Sequence, residues 1–206
     1  AMASGVIPQI TGVFGVCGGG LAVSCAMTDF TFMSTKDAQL FVNSPNAIEG
    51  NYEEKCDTSS AQYQSEQTGL VDVTGDEDQI LAKIRELICM LPANNEDDAS
   101  YEECTDDLNR VCENLAGCAG DTALALAQIS DNHVFFQVKE NYAKDMVTGF
   151  IKLNGITVGA VANRSEFLGE DGTVEKTVDA VLTTDGAGKA ADFVRFCDAF
   201  SIPVLT

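Results

Sequence analysis

Three consecutive glycines, Gly18, Gly19 and Gly20, stand between a strand-forming run that ends at Val16 and a small-residue helical pattern from Leu21 to Met27. Glycine has no Cβ, so the backbone there can come close to a ligand and offer it N–H groups. The start of a helix adds unpaired N–H donors and the positive end of its dipole. Such a turn suits an anion, including an oxyanion that forms during a reaction. A tight strand-to-helix turn with close packing would use the same glycines without a ligand. No Lys-Ser or Lys-Thr follows them, and the G-x-G-x-x-G spacing is absent, so neither a phosphate loop nor a dinucleotide fingerprint is present.

The other residues with chemical potential are sparse. The eight cysteines, Cys17, Cys25, Cys56, Cys89, Cys104, Cys112, Cys118 and Cys197, contain no C-x-x-C pair. Cys104, Cys112 and Cys118 have a spacing at which a zinc site is conceivable, but buried free thiols are the expectation and no metal is assigned. Cys17, Cys25, Cys89 and Cys197 lie in apolar contexts and read as packing residues. His133 is the only histidine, and no nucleophile elbow lies near it, which argues against a Ser-His-Asp or Cys-His triad. The formal charge of −20 argues against nucleic acid and against an anionic membrane surface. No apolar run approaches the roughly 20 residues that cross a bilayer, and no basic n-region marks a leader at the start. A soluble, cytoplasmic globular protein is expected. Glu96 to Asp107 contains no Lys or Arg and reads as a solvated acidic segment.

Ala3-Ser4-Gly5-Val6-Ile7-Pro8-Gln9-Ile10 before the glycines and Ala26-Met27-Thr28-Asp29-Phe30-Thr31-Phe32-Met33 after them resemble the carboxyltransferase subunits of biotin-dependent acyl-CoA carboxylases and decarboxylases. A second block supports the resemblance. It runs through Phe135-Phe136-Gln137-Val138, Asn141-Tyr142-Ala143-Lys144, Gly149-Phe150 and Leu153-Asn154-Gly155-Ile156-Thr157-Val158-Gly159, and ends with Gly188 to Pro203. Two blocks in the family's order are more specific than either alone.

The resemblance implies an α/β fold of the crotonase-like kind, a spiral of strand-strand-helix (ββα) units, truncated here at both ends. It implies a partial N-terminal domain over 1–93, an acidic linker with short helices over 94–130, and the opening of a C-terminal domain over 131–206. In this family a carboxyl group moves between biotin N1 and the α-carbon of an acyl-CoA, and the thioester passes through an enolate. The oxyanion hole falls on the peptide N–H groups of Gly19 and Gly20, with Gly18, Ser4 and Gly5 beside the substrate. The implied cofactor is biotin on a separate carrier, with a CoA ester as substrate. The implied partners are a biotin carboxyl carrier protein, biotin carboxylase or decarboxylase subunits, and further copies of the chain in a homo-oligomer. The family's second oxyanion turn, for the biotin carbonyl, lies downstream of Thr206. The family also has a histidine and a Ser-Gly where Cys56 to Gly69 stands here without a histidine. The chain is therefore expected to be weakly active or inactive alone. Two other readings stay open. A biotin-independent crotonase-fold enzyme on CoA esters would need a base, for which Glu49 and Glu53 are the nearby candidates. A non-catalytic fragment would associate through uncovered apolar edges.

The elements that must position the glycine turn follow from periodicity. Gln9 to Val16 reads as one strand, Asp29 to Met33 and Gln39 to Val42 as two more, and Asn51 to Thr68 as loop with some helix. Thr74 and Glu77 form a candidate capping box for a helix in which Ile80, Leu81, Ile84, Leu87, Ile88 and Leu91 repeat until Pro92. Leu108 to Leu115 and Ala123 to Ile129 read as short helices, and Val134 to Val138 as extended. Met146 to Leu153 and Ile156 to Ala162 form a hairpin with a type I′ turn at Asn154-Gly155. Asp185 is a candidate cap for a last helix with Ala187, Ala191, Val194, Cys197 and Phe200 inward, followed by a buried strand from Ile202 to Leu205.

Overall fold

A computed structural model describes residues 2–47, 57–97, 101–169, 171–179 and 181–206. The chain forms two compact units, Ala1–Cys89 and Met90–Thr206.

In the first unit the run from Gln9 to Val16 is two strands, β1 (Ile10–Val13) and β2 (Val16–Gly18), because its halves pair in different sheets. Helix α1 (Gly20–Cys25) follows β2 at once. The next turn repeats the order with β3 (Phe30–Ser34), β4 (Gln39–Phe41) and α2 (Ala61–Glu66), and a third begins with β5 (Val73–Gly75) and α3 (Glu77–Met90). β1, β3 and β5 lie side by side and parallel, as do β2 and β4. Each of the first two turns thus adds one strand to each of two sheets and then a helix, which is the ββα spiral of the crotonase-like fold. Val13, Cys17, Ala22, Cys25, Met33, Leu40 and Val71 pack into one apolar core between the layers.

The helix that Pro92 ends starts later than Thr74 suggests. Thr74 is already paired with Met33 in the sheet. The reciprocal cap is made by Asp76 and Gln79: Gln79 N–H donates to Asp76 Oδ1 at 2.8 Å and Asp76 N–H to Gln79 Oε1 at 3.0 Å. Ile80 and Leu87 are fully buried, while Leu81 and Ile88 face solvent, so the apolar stripe is wider than the buried face.

The second unit is built on β6 (Phe135–Val138), β7 (Met146–Leu153), β8 (Ile156–Asn163) and β11 (Val204–Leu205), in the order β11-β8-β7-β6. β7 and β8 form the expected hairpin; Asn154 and Gly155 have φ of 53° and 77°. Buried Asp131 accepts from both turn amides, at 3.1 Å from Asn154 N and 2.7 Å from Gly155 N. β9 (Glu166–Leu168) and β10 (Val174–Thr177) make a separate antiparallel pair. α4 (Thr122–Ile129) covers the hairpin, and Leu126 packs with Val147, Ile151 and Ala160. α5 (Thr184–Ala199) is capped by Thr183, not Asp185, through Gly186 N–H at 2.9 Å. Its inner face is Gly186, Lys189, Phe193 and Cys197; Ala191 and Val194 are exposed. β11 then returns parallel to β8, with Val204 and Leu205 about one-third exposed instead of buried.

Leu108 to Leu115 is turns, not helix. Arg110 holds this stretch by donating to Asp106 Oδ2 at 2.7 Å, Gln128 O at 2.8 Å and Ser130 O at 2.7 Å. The Arg110 guanidinium holds the Asp106 carboxyl below its ordinary range. Glu102 N–H donates to Gly155 O at 3.0 Å, and Tyr101 bridges to Ile156. The acidic segment, where described, is therefore tied to the second unit by specific bonds as well as solvated.

Candidate functional site

β2 delivers the chain to the glycine turn and α1 leads it away. Gly18 is the last residue of β2, paired with Phe41, and a Cβ on it would meet the Phe41 ring at 2.9 Å. Close packing accounts for this glycine. Gly19 is the N-cap of α1 with φ of 65° and ψ of −135°, a conformation that a side chain would strain. Its N–H continues the ladder to β4 and donates to Phe41 O at 3.0 Å. This corrects the expectation that Gly19 offers a free donor in the folded chain.

Gly20 is the first residue of α1, and a Cβ there would meet nothing within 4 Å. Among the described residues the N–H groups of Gly20 and Leu21 have no acceptor, while Ala22 and Val23 donate to Gly19 O. The unengaged donors are thus Gly20 and its successor. With six residues α1 is too short for a large dipole; what it offers is the local pair of N–H groups.

A cleft of about 550 Å³ opens between the β1–β2 bend and α1. Gly15, Cys17, Leu21, Ser24, Cys25 and Thr28 are among its walls, and no Asp, Glu, His, Lys or Arg lines it. In a chain of charge −20 this spot has no carboxylate, the condition for admitting a polyanionic ligand. Burial pushes the Cys25 thiol up to about 11, reinforced by its hydrogen bond with Cys17. Ser4 is exposed, and Gly5, with φ of 71°, sits in a turn closed by Val6 and Ile7 N–H on Ala3 O. Neither lines the cleft, and nor do Gly18, Gly19 and Gly20; Leu21 is the residue of the turn that does. Glu49 and Glu53 lie outside the described residues.

Elsewhere two buried charged groups are held by specific bonds, though Asp121 Oδ1, Thr122 Oγ1 and Thr157 Oγ1 are buried without a partner among the described residues. Lys189 is buried, and its Nζ donates to the carbonyls of Lys139, Tyr142 and Met146, each at 2.7 Å. Asp121 receives Arg164 Nη2 at 2.6 Å and Leu168 N–H at 3.0 Å. Among the described residues no three His, Cys, Asp or Glu side chains converge as metal ligands. Cys104, Cys112 and Cys118 point at three different carbonyls. Cys89 is exposed, not a packing residue. Among the described residues no helix is long and apolar enough to cross a membrane. Sequence reasoning found the glycine turn but not Leu21 as a donor; the signal was the register of β2 against β4, which a single sequence does not print.

The carboxyl transferase domain model matches residues 1–206. The propionyl-CoA carboxylase beta chain of Roseobacter denitrificans is 35% identical over 216 residues, covering 100% of this chain and 40% of that protein. The methylmalonyl-CoA decarboxylase subunit alpha of Veillonella parvula is 32% identical over 214 residues, covering 98% of this chain and 40% of that protein. The transcarboxylase 12S crystal structure, a hexamer with hydrolysed methylmalonyl-coenzyme A bound, superposes with a TM-score of 0.80 at 29% identity, covering 98% of this chain and 39% of that one. A single-chain, multi-domain long-chain acyl-CoA carboxylase shares the fold, with a TM-score of 0.71 at 19% identity. The chain spans about 40% of the length of the curated relatives it matches. A whole-length match of this kind, on a ββα spiral with a glycine turn at the head of α1, places the chain in the carboxyl transferase domain family.

Proposed function

We propose that the chain is part of a carboxyltransferase that exchanges a carboxyl group between a carrier-bound biotin and the α-carbon of an acyl-CoA of the propionyl or methylmalonyl class. The observation that carries the reading is the pair of unengaged amides at consecutive residues Gly20 and Leu21, the second of which lines a cleft without carboxylates or bases.

Removing or adding a carboxyl group at the α-carbon puts negative charge on the thioester oxygen. Fixed N–H donors that meet that charge lower the barrier by about 3 kcal/mol each in comparable sites. Gly20 supplies one N–H and Leu21 the other. Gly19 is the hinge: its positive φ turns the chain so that the next two amides leave the sheet. No side-chain base lines the cleft, so none of its wall residues is assigned the proton at the α-carbon. Biotin supplies the carboxyl acceptor or donor when bound. Lys189 and Asp131 are not available to it, since both are spent on backbone partners. No step is assigned to them.

Proposed partners are a biotin carboxyl carrier protein, biotin carboxylase or decarboxylase subunits, and further copies of the chain. Titration of the chain with propionyl-CoA by calorimetry, then addition of a biotinylated carrier with methylmalonyl-CoA, tests the reading. Saturable CoA-ester binding with slow or no turnover is expected. Absence of CoA-ester binding by the folded chain, together with a stable oligomer by light scattering, would favour the non-catalytic reading instead.

A further inference from the structure

Two thiols meet at the wall of the first unit's cleft, and the proposed carboxyl transfer uses neither. Cys17 comes from the middle of β2 and Cys25 from the last residue of α1. Their Sγ atoms are 3.5 Å apart. Each residue is 6% exposed, yet both border the 550 Å³ cleft, which gives a small reagent a path to them. A disulfide needs the sulfurs at about 2.05 Å, an approach of roughly 1.5 Å. A six-residue helix on a glycine turn can supply that by a small shift of its last turn. Either sulfur can donate in this contact, so whichever loses its proton first is stabilised by the S–H of the other; burial, which raises the Cys25 thiol, makes Cys25 the later of the two.

We propose that Cys17 and Cys25 form a dithiol modification site that hydrogen peroxide converts to an intramolecular disulfide, closing a ring around the Gly18-Gly19-Gly20 turn. In the first step the Cys17 sulfur attacks a peroxide oxygen. An S–O bond forms, the O–O bond breaks, and the leaving hydroxide takes the thiol proton as water. In the second step the Cys25 sulfur attacks the Cys17 sulfur. The S–S bond forms, the S–O bond breaks, and a second water leaves with the Cys25 proton. Two thiols lose two electrons and the peroxide gains them. A dithiol reductant reverses the change. The inference stands without the CoA-ester reading.

Trypsin gives a clean readout. The first Lys or Arg is Lys36, so the peptide 1–36 holds Cys17 and Cys25 and no other cysteine. The folded chain is treated with hydrogen peroxide, blocked with iodoacetamide and digested. The peptide is expected to be two hydrogens lighter and unalkylated, and to take two alkyl groups when dithiothreitol precedes the block. In Cys25→Ala, Cys17 should stop at a sulfenic acid that dimedone traps. A peptide 1–36 that stays doubly alkylated, or whose Cys17 or Cys25 itself gains oxygen in the wild type, located by fragmentation because Met2, Met27 and Met33 of the same peptide form sulfoxides, would overturn the proposal. A Cys25→Ala chain that yields no dimedone adduct would overturn the assignment of Cys17 as the attacking sulfur.

Discussion

Replacing Gly20 by proline removes one N–H and little else. Gly20 is the first residue of α1, where proline is favoured because the N–H has no helical partner and φ is already suitable. Nothing lies within 4 Å of a Cβ built there, so Gly20→Ala is a control that keeps the donor and adds the carbon. A hydrogen bond to a charged group is worth about 1.5–3 kcal/mol net. At 1.4 kcal/mol per factor of ten, that is about a 10- to 100-fold change in affinity for an anion at this spot. The assay is calorimetry with two ligands: propionyl-CoA, whose oxygen is neutral, and a CoA analogue bearing a nitronate, which mimics the enolate charge. Gly20→Pro should bind propionyl-CoA nearly as Gly20→Ala does and lose the nitronate preference. Unfolding free energies of the two variants from urea titration should agree to within about 1 kcal/mol, since no bond of the fold is broken. A Gly20→Pro chain that holds the nitronate as tightly as Gly20→Ala would remove Gly20 from the oxyanion site.

Gly149→Ala should destabilise the second unit by more than about 3 kcal/mol, read by urea denaturation, because the new Cβ runs into the Phe136 carbonyl oxygen of the neighbouring strand. Asp131→Ala leaves the Asn154 and Gly155 amides without their acceptor and should cost about 1–3 kcal/mol, with faster hydrogen exchange at those two amides. Burial lowers the Lys189 pKa to about 7 from an ordinary 10.5; Lys139 and Arg164 add to the shift, and Asp145 and Glu140 oppose it. Between these values the unfolded chain binds a proton that the folded chain does not, so the Lys189 contribution to stability rises with pH across that window. Wild type should therefore gain stability relative to Lys189→Met from about pH 7 to 10 in paired urea titrations, and a flat difference would refute the assignment.

The hairpin was legible because its information is local: Asn154-Gly155 fixes the turn, and the turn fixes the register Leu153 against Ile156. The long helix was legible from its apolar repeat and Pro92, but its start was not. Thr74 with Glu77 and Asp76 with Gln79 both have capping spacing, and only the pairing of β5 with β3, forty residues away, gives Thr74 to the sheet. Leu108, Val111 and Leu115 have helical spacing, yet the first two are 62% and 79% exposed, so no buried face rewards a helix there. Lys189 was unreadable as an inward residue because periodicity counts lysine as polar. Three carbonyls of the segment between Lys139 and Met146 make its burial tolerable.

The same non-local logic explains why the donor pair sits one residue further on than the glycines suggest. In a ββα spiral the second strand of each turn pairs with the second strand of the next. β2 runs in register with β4 as far as Gly18 against Phe41, and the following amide, Gly19, still finds the Phe41 carbonyl. β4 ends at Phe41, and Asn43-Ser44-Pro45 then turns the chain into a short 3-10 helix, so the sheet offers no acceptor to Gly20. The end of β4 therefore determines which amides of the glycine turn stay free. The three glycines have three separate duties: Gly18 makes room for the Phe41 ring, Gly19 supplies the left-handed hinge, and Gly20 leaves an open N–H. A side chain at Gly18 would press on Phe41 and through it on the Gly19 bond, so it should disturb the proposed oxyanion site from the sheet side without touching a ligand.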